Sequence, residues 1–189
     1  MHKLRKKWYK EKEKRSVRVI TILLFDYFRN FNLMSDFEFT ANIDDLDTES
    51  IYLIHKAREA AAHAHAPYSK FHVGAAVLLE GDIVVTGSNQ ENAAYPSGMC
   101  AERVALYSAA MLHPGVPVVK LAVIAKRKTG KELLPATCCG ACRQVILEYE
   151  SFQHQPIQVV MQGSDHRWIK VTSAHALLPF AFTKEDLDR

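Results

Sequence analysis

"CAERVALYSAAMLHPGVPVVKLAVIAK", residues 100–126, changes its periodicity halfway along, and that change decides the fold. Its first half has the Ala/Leu content and ~3.6-residue period of a buried helix, stopped by Pro114-Gly115. Its second half, "VVKLAVIAK", is a near-continuous apolar run, as expected of a strand covered on both faces. Working outward, "HVGAAVLLEGDIVVTGSN", residues 72–89, reads as a hairpin of two strands, His72 to Leu79 and Ile83 to Gly87, turning at Gly81-Asp82. Before it, "IYLIHKAREAAAHAHA", residues 51–66, sets Ile51, Ile54, Ala57/Arg58 and Ala61 at helical spacing, with Thr48 and Ser50 as candidate N-caps and Pro67 as the stop. After the central strand come a helix, "CGACRQVILEYES", and the strands "IQVVMQ" and "WIKVT". This alternation predicts an α/β fold, a three-layer α/β/α sandwich around a mixed five-stranded sheet.

The chain of 189 residues is 48% hydrophobic, enough for one domain with its own core and no covalent staples. Its net charge of +3 averages two unlike parts. Residues 1–33 carry ten Lys/Arg against three Asp/Glu, whereas residues 34–189 carry fourteen against eighteen, so any polyanion-binding patch lies in the leader and not in the body. The leader's uncharged run, Val19 to Phe25, is far short of the about 18 residues that a membrane span needs. Asp26 and Arg29 follow at once with no small-residue cleavage site, unlike a signal peptide. We expect residues 1–46 to be a flexible basic and apolar extension, with Met34 a possible true start, and residues 47–189 to be the domain. A cytoplasmic location follows, with no membrane and no nucleic-acid partner.

Three of the four cysteines crowd into "TCCGACRQ", residues 137–144, and Cys100 stands apart. A C-x-x-C pair in a non-secreted chain binds metal or does redox chemistry more often than it forms disulfides. Cys100 opens one predicted helix, and Cys139 with Cys142 opens another; helix N-termini favour thiolate over thiol and so favour metal. Cys139 and Cys142 can converge on one ion, whereas the side chain of Cys138, adjacent to Cys139, diverges. Three thiolates with an open tetrahedral position make a catalytic zinc site, one ion per chain. Two residues after Cys100, Glu102 can take a proton from a bound water and hand it to a leaving group. Zinc with three thiolates carries −1, so hydrogen bonds from Arg103, and from Arg143, to the sulfurs would restore acidity to the metal. A structural-zinc or dithiol redox protein built on C-G-A-C is the alternative from another class, and in it Glu102 has no role.

"CAER" followed by "CGACRQ", with "PYSKFHVGAA" and "SNQENAAYP" upstream, resembles the cytidine deaminases of the homotetrameric, three-cysteine class, from about Ile51 to the C-terminus. The resemblance implies that Cys100, Cys139 and Cys142 bind zinc and that Glu102 is the proton shuttle. It implies hydrolytic deamination of cytidine and deoxycytidine to the uridines plus ammonia in pyrimidine salvage, by zinc-hydroxide attack at C4. It makes Asn89 and Glu91 the pair that hydrogen-bonds the sugar 3′-hydroxyl, Phe71 an aromatic against the pyrimidine, and Ala93 and Tyr95 pocket positions. "LLPFAFTKEDL" resembles the family's tail, in which Phe182 matches a ring that reaches into a neighbouring subunit's site, so a homotetramer with shared sites is expected; plain packing of Phe180 and Phe182 is the alternative.

A Glu91 carboxylate would repel a 3′-phosphate, which favours free nucleosides over polynucleotides. Cys138 stands where the family has Pro, and His72, Ser88, Gln90 and Thr183 also depart from the pattern. A blasticidin-type aminocytosine antibiotic deaminase shares the zinc logic, but the Asn89 and Glu91 pair and the aromatic tail argue for the nucleoside. His63, His65, His113, His154, His166 and His175 read as surface or locally satisfied residues.

Overall fold

Residues 35–187, apart from residue 131, are described by the computed structural model of the chain. The leader, residues 1–33, and the possible start at Met34 lie outside the described residues. Helix α1, Thr48–Ala60, starts where Asp47 accepts the Ser50 backbone N–H at 2.9 Å and the Ser50 hydroxyl at 2.8 Å. The N-cap is therefore Asp47 and not Thr48 or Ser50. The polar first turn carries no hydrophobic period, so the apolar pattern begins three residues after the helix does. Burial alone would raise the Asp47 carboxyl, but Lys120, bonded at 2.7 Å, together with Ser50 holds it well below the usual carboxylate range. Lys120 is itself buried on the central strand and also meets Glu49 at 3.0 Å, so one ammonium fastens α1 to the sheet.

The five predicted strands form: β2 (Phe71–Leu79), β3 (Ile83–Ser88), β4 (Val118–Arg127), β6 (Gln158–Gln162) and β7 (Trp168–Val171). Gly81 at φ 80° and Asp82 at φ 62° turn the β2–β3 hairpin through two left-handed residues, a geometry that matches the twist of the strands. Two short strands join them, β1 (Phe37–Thr40) along β7 and β5 (Leu133–Leu134) along β4, so the sheet has seven strands instead of five. Two residues are too few to show a period, and Phe37–Thr40 lies in the stretch that the sequence assigns to the extension. The order is β1-β7-β6-β4-β2-β3, with β4–β6 parallel and the other pairings antiparallel.

Strand alternation splits the core in two. Ala76, Leu78, Ala122 and Ile124 face Leu53, Ile54 and Ala57 of α1. Ala75, Val77, Leu121 and Val123 face helices α2 (Ala101–Leu112) and α3 (Gly140–Gln153), which completes the three layers. The helices lie close because two strand glycines have no side chain. A Cβ on Gly74 would meet the Ala57 carbonyl oxygen at 1.9 Å, and one on Gly87 would meet the Ala105 nitrogen at 2.4 Å and the Ala101 oxygen at 2.6 Å. Gly87 therefore fixes how deeply the start of α2 is seated. At the end of the chain, Thr183 opens α4 (Lys184–Leu187), where the Asp186 carboxylate accepts its backbone N–H at 2.9 Å.

Gly87→Ala should cost about 2–3 kcal/mol of stability, as overpacked cores do, and should also lower bound metal because α2 carries Cys100 at its start. Gly74→Ala should destabilise comparably and retain the metal, since α1 bears no ligand. Urea unfolding with metal analysis of the folded fraction checks the pair; equal metal loss in both variants would show that the seating of α2 is not what matters.

Candidate active site

Cys100 and Cys139 are the N-cap residues of α2 and α3, and neither side chain makes a capping hydrogen bond. Their backbone carbonyls start the helices, accepting from Val104 at 3.1 Å and from Arg143 at 3.0 Å, so the sulfurs are left to face each other. Cys142 lies buried on the first turn of α3. The sulfurs of Cys100, Cys139 and Cys142 lie within 4.8 Å of one another, and Cys100 and Cys139 are 3.8 Å apart. Tetrahedral zinc at a Zn–S distance of ~2.3 Å separates its sulfurs by ~3.8 Å, so the cluster fits that ion with little adjustment.

The electrostatics agree with a metal. The Cys142 thiol, with Arg103 and Cys139, holds the Cys100 thiol down at about 5, and the same contact with burial pushes Cys142 up. The thiols share their protons, and loading with a divalent ion must release them. Arg103 Nη2 lies 3.7 Å from Cys100 Sγ, and its buried Nε has no hydrogen-bond partner among the described residues. Such an orphaned donor beside three sulfurs suits a site whose full anionic charge arrives with the ion. Arg143 differs from expectation. Its Nε donates to the Cys138 carbonyl at 2.8 Å and its Nη1 to the Leu177 carbonyl at 3.2 Å, so it braces backbone instead of sulfur.

Glu102 is 4% exposed on the first turn of α2 and lines the same cavity as Cys100 and Cys139, a cleft of about 840 Å³. Burial, with the nearby Cys100 sulfur, pushes its carboxyl up, toward the range where a carboxylic acid carries protons. Cys138 is 1% exposed and turned into the core among residues of α2 and α3, outside the sulfur group; burial first, then Glu102, pushes its thiol well up.

Phe71, Asn89, Glu91 and Tyr95 line the cleft, whereas Ala93 and Phe182 do not. Asn89 ties the end of β3 to the start of β2: its Oδ1 accepts the Val73 N–H at 2.8 Å and its Nδ2 donates to the Phe71 carbonyl at 3.0 Å. Phe71 is thereby held at the wall. Glu91 Oε2 accepts the Tyr68 and Ser69 N–H groups at 3.0 and 3.3 Å, and the Ser69 hydroxyl leads in lowering its carboxyl below the ordinary range. Tyr68 meets Tyr95 edge to face, with ring centroids 6.5 Å apart, at the rim. Phe182 is 60% exposed over a second groove on the outer side of α3, where its carbonyl accepts from Gln144 at 2.7 Å. The sequence reading missed the wall formed by Pro135, Ala136 and Thr137, because an apolar segment after a two-residue strand has no pattern of its own.

Residues 47–155 match the family model described as "Cytidine and deoxycytidylate deaminase zinc-binding region". A cytidine deaminase of Sporosarcina psychrophila is 42% identical over 136 residues, which span 71% of this chain and 92% of the relative. A probable cytidine deaminase of Dictyostelium discoideum is 37% identical over 134 residues, 71% of this chain and 84% of the relative. Among solved structures, the cytidine deaminase of Burkholderia pseudomallei aligns with a TM-score of 0.58 at 37% identity, covering 72% of this chain and all of that one.

Cys138→Ala should keep the metal content of the parent protein, with about 1–2 kcal/mol lost to the small cavity left in the core. Cys139→Ser and Cys142→Ser should purify with little metal. Elemental analysis of the three proteins decides it: metal lost from the Cys138 variant would mean that the ligand set is wrong.

Proposed function

The chain belongs to the cytidine and deoxycytidylate deaminase family, and from that membership we propose that it hydrolyses cytidine and deoxycytidine to uridine and deoxyuridine, releasing ammonia, in pyrimidine salvage. One observation carries this reading: the carboxyl of Glu102, buried in the cleft wall two residues from Cys100, shares that cleft with a three-sulfur cluster of zinc dimensions. Cys100, Cys139 and Cys142 would hold the zinc, and the metal would supply an activated water at its open position. Glu102 would accept one proton from that water and deliver it to ring N3 as the water oxygen bonds to C4, and would then carry the second proton from the new C4 hydroxyl to the 4-amino group as the C4–N bond breaks and ammonia leaves. Its burial supports this role, because a carboxyl whose pKa is raised holds an abstracted proton more readily. Arg103 would donate to the Cys100 sulfur and draw charge from the ligand set.

Phe71 would pack against the pyrimidine, and its fixed backbone supports that role. The oxygen of Glu91 not engaged by Tyr68 and Ser69, and the second N–H of Asn89, would meet the sugar 3′-hydroxyl, with Tyr95 closing the rim. An exposed carboxylate at that point favours a free 3′-hydroxyl over a 3′-phosphate, so the substrate is a nucleoside and not a nucleic acid. The exposed ring of Phe182, remote from its own cleft, would complete the cleft of a neighbouring copy in a homotetramer. No described helix is long and apolar enough to cross a membrane. Unpaired thiols in the site suit the reducing cytoplasm.

Glu102→Gln should give a folded protein with about one zinc per chain and a kcat for cytidine lowered ~10²–10⁴-fold. Absorbance-monitored turnover beside elemental analysis reads both, and native turnover in that variant would refute the shuttle. Sedimentation should give four copies, and Phe182→Ala should raise KM about tenfold, the cost of one lost aromatic contact. A monomer with unaltered KM would remove the shared site.

A further inference from the structure

The C-terminal segment is fastened along one helix, and the fastening ends at the metal turn. Near the C-terminal end of α3, the buried Glu150 carboxylate accepts from the Ser173 hydroxyl at 2.5 Å and from the Ala174 and His175 N–H groups at 2.7 and 3.1 Å. Two turns back along α3, Arg143 Nη1 holds the Leu177 carbonyl, and its neighbour Gln144 holds the Phe182 carbonyl. The same Arg143 guanidinium grips the carbonyl of Cys138 through Nε, in the peptide group that leads into Cys139. A guanidinium is planar with donors in fixed directions, so two carbonyls bound to one fork cannot move independently.

We infer that Arg143 and Gln144 form a clamp that couples the C-terminal tail to the turn bearing Cys139, making them positioning residues that act through that turn. A tail pulled away from α3 withdraws the Leu177 carbonyl and leaves the fork with one partner. The Cys139 turn then loses its brace. The inference rests on the proposed function only in taking Cys139 for a metal ligand.

The test uses the full chain in its native assembly and two readouts, zinc release to a chromogenic chelator and backbone hydrogen exchange by mass spectrometry. Gln144→Ala removes a contact to the tail alone, yet it should speed exchange at residues 137–142 as well as 178–183 and hasten zinc release about fivefold, the worth of one hydrogen bond. Arg143→Gln should hasten release ~10-fold or more. Arg143→Lys keeps the charge without the fork and should behave like Arg143→Gln. If Gln144→Ala loosens residues 178–183 while residues 137–142 exchange at the parent rate, or if Arg143→Lys matches the parent in both readouts, the coupling is overturned. A parent protein that binds no zinc would sink the proposed function, but exchange at residues 137–142 would still decide the clamp.

Discussion

Everything in the site depends on two helix N-termini being aimed at one point. Three sulfurs within 4.8 Å of one another, with a buried carboxyl beside them, are an unfavourable assembly in a metal-free chain. Thiolates repel, and a buried acid costs free energy unless it is protonated. The sheet imposes the arrangement from outside. Gly87 lets the backbone of α2 approach β3 within the radius of a methyl group, and Ile146 and Leu147 pack α3 into the same core face. A metal held by the three sulfurs would offset the cost, and part of the folding free energy of this face would then come from the ion.

The layer on the other side of the sheet is built from different forces. There the helix is held by the Lys120 ammonium against Asp47 and Glu49, and by Lys170 against Asp47 and Glu38. Breaking a buried pair by removing one partner is costly, since the other charge is left stranded. Charge near the sulfurs is handled by one guanidinium, Arg103, while Arg143, so similar in sequence position, is spent on carbonyl oxygens.

The strands and helices were legible because each long element carries its own period: alternation in the β2–β3 hairpin, a continuous apolar run in β4, ~3.6-residue repeats in α2 and α3. The sulfur cluster was legible for a related reason. Cys100, Cys139 and Cys142 each stand where a helix begins, and helix starts can be read from local sequence. What could not be read was set by long-range partners. β1 exists only because β7 offers an edge to Phe37–Thr40, and β5 only because β4 outruns β6. The Asp47 cap precedes any hydrophobic signal. Arg143 looked like a donor to sulfur because sequence distance from Cys142 is one residue, whereas its direction is fixed by Leu177, far along the chain.

Ser88, Gln90, Thr183 and Cys138, which the resemblance marks as departures, each find local partners or packing. Ser88 and Gln90 interlock, since Gln90 Nε2 donates to the Ser88 carbonyl at 3.3 Å and to its hydroxyl at 3.2 Å, so two polar replacements satisfy each other beside the cleft. Thr183 precedes α4, and its backbone N–H donates to the Asp186 carboxylate at 2.9 Å, a bond that needs no side chain. Cys138 fills apolar space with a soft, weakly polar sulfur, and burial keeps it a thiol. Its carbonyl meets Arg143, while its thiol lies against the Glu102 carboxyl. A backbone acceptor is indifferent to the residue that carries it.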